Sequence, residues 1–386
     1  MRYRRRLPRA ARNGSITILA AFLCVALLGM LAFSVDLGYV ISAREELQRT
    51  ADASAIAACW ELGQQYSDQA DGAAATLQTR QMAESYSSQN SVANQNVSLD
   101  LNASNDADGD VVVGYIADFY NPVSELDTAN PNIYNAVRVR TRKNSTLNGK
   151  VPYFFANIFG LQGQALQAEA MAGIVRDVAG FQTPADGSNL DLLPFALDYE
   201  TWSKLVYQDI GTDDWAWDKD LHACVPGSDG IREVNLYPQG TGEPGNRGTV
   251  DIGSSNNSSA DIARQILHGV NEADLIALGK PLEFVAGALT LNGDTGISAG
   301  FKDELAAIEG QPRCIPIFTN VQGPGNTAEY TITCWFGIRI MDVKLTGPMT
   351  KKHVTIQAAP VVMKGVIPST TTGTSDHVFS TVVLIQ

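Results

Sequence analysis

Residues 16–35 form twenty consecutive positions without a formal charge, drawn mostly from Leu, Ala, Val, Ile, Phe and Met. About 20 such residues, wound as a helix, match a hydrocarbon core of ~30 Å. The run is longer than the apolar stretch of an ordinary cleaved signal, so a retained transmembrane helix is expected over residues 15–36. Arg2, Arg4, Arg5, Arg6, Arg9 and Arg12 precede it, and no acid occurs before Asp36. Such an excess of cations holds residues 1–14 in the cytoplasm and sends the bulk of the chain across the membrane.

Beyond the run, Leu37, Val40, Ile41, Leu47, Ala51, Ala55, Ala58 and Leu62 recur at helical spacing, with neither Gly nor Pro between Tyr39 and Leu62. One helix is therefore expected to leave the bilayer and continue, holding the folded body away from the lipid. The small residues Ala20, Ala26, Gly29 and Ala32 would let another helix approach closely inside the membrane. Asp36 sits at the outer edge, where a carboxylate either reaches water or pairs with a partner subunit.

The chain carries a net charge of −13 despite its basic leader, so the exported part is strongly acidic and should repel nucleic acid. Five cysteines include no CxxC pair, which argues against a zinc site.

Several motifs together resemble the TadE/TadG-like family of Flp pilus assembly proteins. They are the Arg-rich leader with Gly14, the apolar run, Val35-Asp36-Leu37-Gly38-Tyr39, and Leu47-Gln48-Arg49-Thr50-Ala51-Asp52-Ala53-Ser54-Ala55-Ile56-Ala57-Ala58. A second block, Asn135-Ala136-Val137-Arg138-Val139 and then Val151-Pro152-Tyr153-Phe154-Phe155-Ala156-Asn157-Ile158-Phe159-Gly160, fits the same family and extends the resemblance over about residues 10–175. The resemblance implies a single-pass protein of the bacterial inner membrane, working with the lipid bilayer and other pilus or secretion-system subunits. Prepilin-type processing looks for glutamate at the fifth position after the glycine, and Leu19 stands there, so the uncleaved TadG-like branch fits better. The metal motif D-x-S-x-S of the von Willebrand A domains found in some relatives is broken, since Asp251-Ile252-Gly253 has glycine where serine is required.

The expected fold is α+β. A long amphipathic helix packs on an antiparallel sheet over residues 37–180, a linker follows at 181–189, and a mixed, β-rich domain occupies 190–386. Within the first domain, residues 97–103 and 110–116 read as a hairpin around a polar turn, residues 133–140 as a further strand, and the aromatic stretch 151–159 as packing between that strand and the helix. Asp106, Asp108 and Asp110 alternate, but the glycine and glutamate of a calcium loop are missing, so a solvated turn is expected. In the second domain helices are expected over 259–270, 272–278 and 298–308, with strands after Pro312. A hairpin centred on Pro324 would set Cys314 opposite Cys334, a candidate disulfide in an oxidising compartment.

Gly296-Ile297-Ser298-Ala299-Gly300 matches the G-x-S-x-G nucleophile elbow. Asn292-Gly293-Asp294 before it reads as a turn rather than a buried strand, and Ser298 reads better as a helix cap. Residues 240–253 lack the Gly-Lys-Ser/Thr of a P-loop. Trp202, Trp215 and Trp217 with Tyr199 and Tyr207 form an aromatic concentration suited to a core or a partner surface. The function expected is a non-enzymatic, cofactor-free assembly or scaffold subunit. The alternatives are an exported serine hydrolase using Ser298 and a surface adhesin for carbohydrate or a neighbouring cell.

Overall fold

A computed structural model describes residues 15–67, 71–117, 119, 125–237, 247–253, 258–294, 298–323 and 325–385. The arginine leader, Gly14, Pro324, Gly296, Ile297 and much of the 240–253 loop lie outside the described residues.

Helix α1, Ser15–Ser67, is continuous for 53 residues. Its first twenty described residues are almost wholly uncovered, whereas Val40, Ala43, Leu47, Ala51, Ala55, Ala58, Cys59 and Leu62 are buried in one core. The change follows the side chains. A charge-free stretch with large apolar groups on every side has no polar face to turn outward, while the later stretch has one apolar stripe and can pack by it. Leu37 and Ile41 lie off that stripe and stay exposed. The second half of α1 is therefore not a stalk holding the body off the lipid but the central element of the body itself, which begins at Asp36.

Helix α2, Gly72–Gln89, lies against α1 and is capped by Asp71, whose carboxylate accepts the Ala73 and Ala74 amides. Strands β1 (Val111–Gly114), β2 (Ala136–Lys143) and β3 (Leu166–Gly173) form an antiparallel sheet beneath them, with β2 central. Alanines on the α1 stripe face Val137, Val139, Ala170 and Ala172 in the same core. Small residues on both faces let the helix lie close, and the Thr141 hydroxyl reaches the Leu47 carbonyl at 3.1 Å.

The hairpin expected between 97–103 and 110–116 does not form, because β1 pairs with β2 instead. Asn102 and Asn105 take left-handed backbone angles that interrupt a strand. The Asn105 side chain then imitates one, its amide donating to the Val113 carbonyl and its oxygen accepting the Val113 amide. Asp110 is buried against Arg142 at 2.6 Å rather than solvated.

The distal sheet curls into a mixed barrel. Strands β4 (Phe195–Asp198), β5 (Arg247–Val250), β6 (Leu289–Asp294), β7 (Pro312–Gln322) and β8 (Ala328–Lys344) close on themselves, since β7 pairs with β8 on one side and parallel to β4 on the other. The helices Ser259–His268, Glu272–Leu278 and Lys302–Ala307 fall where the sequence places them.

Two strands cross the expected division at 181–189. Val178–Phe181 pairs with Leu282–Glu283 and Val366–Pro368 of the distal body, and Val383–Ile385 returns to become the edge of the first sheet beside β3. The sheets thus do not part at that linker, and the two bodies share strands in both directions.

The β7–β8 hairpin forms, but Gln322 faces Glu329, so it folds further along the chain than Pro324. Cys314 consequently faces Gly337 and Cys334 faces Ile317. The two cysteines lie on opposite faces of the sheet, Cys314 in the core holding Trp335 and Cys334 in the core holding Phe336, and both are free thiols. An odd offset in register turns a side chain to the other face, which rules out the proposed bridge. Asn292-Gly293-Asp294 is likewise part of β6 rather than a turn, with Gly293 having no side chain because a Cβ there would strike the Thr249 carbonyl.

Candidate functional site

The chemistry at the junction between the uncovered and the packed halves of α1 centres on Asp36. Its carboxylate is only 4% exposed, although it follows the uncovered apolar stretch directly. Oδ1 accepts the Phe154 amide at 2.7 Å, Oδ2 accepts the Ala156 amide at 2.7 Å, and the Phe155 amide lies 3.2 Å from both oxygens. Those amides open the short 3-10 helix Ala156–Phe159, whose first N–H groups have no partner within the helix. Asp36 supplies the missing acceptor from across the fold, so it neither hangs in water nor stays free for a partner subunit.

The segment is pinned at its base by pairing of Val151 with Gln164 and of Pro152 with Gly163. Gly160 ends the turn at φ 84°, a left-handed angle that a Cβ would strain. Tyr39 of α1 meets Phe154 edge-on at 4.8 Å between ring centres. Between α1 and this loop lies a groove of about 200 Å³ lined by Gly29, Ala32, Phe33, Tyr153, Phe155 and Phe159. The aromatic stretch packs against the helix–sheet core as expected only at its start, where Val151 is buried and Tyr153 lies against the core. Phe154, Phe155, Ile158, Phe159 and Leu161 are exposed, while only its polar backbone is turned to Asp36.

Of the small residues, Gly29 and Ala32 share this groove with Asp36. Ala26 lies on the same side of α1, uncovered. Ala20 stands about two and a half turns before Gly29 and so faces the opposite way. The amides of Phe154, Phe155 and Ala156 were not foreseen. A backbone N–H has no sequence signature, but the absence of any charge between 151 and 164 is a signal that marks this loop.

A second cavity, of about 470 Å³, is lined by Arg176, Asp177, Tyr207, Arg232, Asp376 and His377 among others. Burial pushes the Asp177 carboxyl up, opposed by the Gly373 amide and Arg176. Burial also opposes the charge on Asp376, but His377 beside it holds the carboxyl below its ordinary value. Nδ1 of His377 lies 2.9 Å from Asp376 Oδ1, out of hydrogen-bond alignment, and neither ring nitrogen has a hydrogen-bond partner among the described residues. The cavity thus brings a carboxylate beside a histidine, and among the described residues no hydroxyl or thiol is hydrogen-bonded to that ring.

Ser298 is exposed and its hydroxyl accepts the Gly300 amide at 3.1 Å, capping the turn Ala299–Phe301. His353 is engaged by Asp342 at 2.5 Å. Among the described residues no group of three or more His, Cys, Asp or Glu is placed to hold a metal. Asp251 lies near Asp261 and Asp274, and burial together with those two charges raises its pKa to about 6. Trp202 is a core residue, while Trp217 lies under the Arg339 guanidinium, 4.4 Å from the ring centre.

Helix α1 is long and apolar enough to cross a membrane, with a mean hydropathy of 2.7 in its apolar window. Residues 14–75 match the family model described as putative Flp pilus-assembly TadE/G-like, and residues 48–172 match that described as putative Tad-like Flp pilus-assembly. No curated protein and no solved structure matches the chain. The two matched regions overlap on α1 and together take in α2 and the sheet beneath it. Residues 14–172 of the chain are thus similar to the TadE/G-like and Tad-like Flp pilus-assembly families.

Proposed function

We propose that this protein is a membrane-anchored scaffold subunit of a Flp/Tad-type pilus or secretion system, held in the bacterial inner membrane with its leader in the cytoplasm and its body exported. The observation that carries the reading is the division of one unbroken helix into an uncovered apolar half and a half that forms the core of the body. No joint separates the two, so a force or tilt acting on the span is transmitted rigidly to the exported sheet.

In this reading the span contacts other assembly subunits through the side bearing Ala26, Gly29 and Ala32, where small side chains permit close helix approach. Ala20 serves a contact on the other side, and Asp36 shapes the exit of the helix rather than binding a partner. In this reading the role is non-enzymatic, and Ser298 serves as the cap of the turn Ala299–Phe301.

The test is crosslinking in cells that express the chain with its pilus machinery. Cysteines at Ala26 and Ala32 are expected to crosslink to a second membrane protein, and a cysteine at Leu27 to do so less. Failure of all three to capture any membrane protein would remove the contact model.

A further inference from the structure

We infer that the loop over residues 153–161 is a second membrane contact, an aromatic wedge whose occupant is the acyl-chain region of the outer leaflet. The inference rests on the reading that the first half of α1 spans the bilayer.

Depth is the first argument. Phe155 and Phe159 line the same groove as Gly29, Ala32 and Phe33. Gly29 lies six residues before the end of the uncharged run at Val35, or about 9 Å along the helix axis. If the run fills the hydrocarbon core, side chains level with Gly29 to Phe33 are at the depth of lipid tails.

Composition is the second. Residues 151–164 contain no Asp, Glu, Lys or Arg. Ile158 is 81% and Phe159 85% exposed, with Phe154 and Leu161 also uncovered beside them. Such a patch is unfavourable in water and favourable in lipid.

Backbone satisfaction is the third and separates this loop from an ordinary apolar patch. Each unpaired backbone polar group is costly in hydrocarbon, and irregular backbone is tolerated at that depth only where it is turned against protein or a water-filled cavity. Asp36 takes the amides of Phe154, Phe155 and Ala156. Ile158 donates to Phe155, Gly160 to Asn157, and Leu161 to Ala156. The buried carboxylate thus does two things, ending the uncharged run and pairing three of the loop's amides, which lowers the cost of bringing this backbone against lipid.

The experiment uses the full chain, one copy per phosphatidylcholine and phosphatidylglycerol nanodisc, with Cys24→Ala and Cys224→Ala to remove the more accessible thiols. Spin labels are placed singly through Ile158→Cys, Phe159→Cys, Leu23→Cys in the span, and Leu221→Cys on an exposed turn. Collisions with dissolved oxygen and with a water-soluble nickel chelate are measured by electron paramagnetic resonance. Labels at 158 and 159 are expected to collide several-fold less with nickel, and more with oxygen, than the label at 221. Nickel access at 158 and 159 equal to that at 221, with 23 shielded, would overturn the wedge while leaving the span intact. Nickel access at 23 as well would bring down the span and the wedge together. Shielding of 158 in native membranes but not in lipid-only discs would assign the patch to a protein partner and overturn lipid as its occupant.

Discussion

The carboxylate of Asp36 accepts the amide of Phe154 at 2.7 Å, joining the point where the helix leaves its apolar stretch to a loop 118 residues further along the chain. That bond, with its neighbours at Phe155 and Ala156, ties the loop to α1 at the point where the packed half of the helix begins.

Asp36→Ala strands three amides at once and is expected to loosen the loop, because hydrogen bonds to a charged acceptor are worth more than neutral ones. Asp36→Asn keeps one acceptor oxygen and should fall between. Limited proteolysis of the detergent-solubilised chain, followed at sites between 150 and 165, checks the order.

Ala55 is fully buried where α1 lies on the first sheet. Ala55→Leu adds volume at a face with no room, and overpacking of this kind costs about 1–3 kcal/mol. Ala53→Leu, on the more open side of the same helix, should change stability little. Thermal unfolding of both variants in one detergent distinguishes packing from helix propensity.

Much of this architecture was legible from residue pattern alone. The uncharged stretch and the stripe of Val40, Leu47, Ala51, Ala55, Ala58 and Leu62 gave α1 because both properties are local and periodic. Three short distal helices were readable for the same reason, as was the cap at Ser298. What was not legible is contact over distance. Val383–Ile385 pairs with residues more than 200 positions earlier, and nothing in either segment names the other. The stretch 97–103 has strand composition, yet Asn102 and Asn105 bend it and substitute their side chains for a strand edge. At the candidate site the acid was visible but its partners were amides, which every residue except proline carries.

The register of the β7–β8 hairpin predicts that Cys314 and Cys334 stay reduced and separate in an oxidising compartment. Alkylation of the unfolded protein without prior reduction, read by mass spectrometry, should label both. A disulfide-linked peptide containing the two residues would contradict the register.

Asp251 has a carboxyl pKa raised to about 6 by burial and by the charges of Asp261 and Asp274. The folded state therefore binds a proton more tightly than the unfolded state, whose carboxyl titrates near the ordinary value of about 3.9. The contribution of this group to stability is greatest at low pH and is lost as pH rises through about 6. Asp251→Asn should be more stable than the parent at pH 8, with the difference shrinking toward pH 5. Unfolding midpoints of parent and variant across that range test the sign.

The whole account turns on one helix being dissolved in lipid on one side of Asp36 and packed in protein on the other. Cells expressing the intact chain can be converted to spheroplasts, digested with an external protease, and their membranes extracted with alkaline carbonate. The account predicts that undigested protein stays in the membrane pellet and that digestion removes the body, leaving a short N-terminal fragment in the membrane. Release of the intact chain by carbonate, or full protection from the external protease, would contradict it.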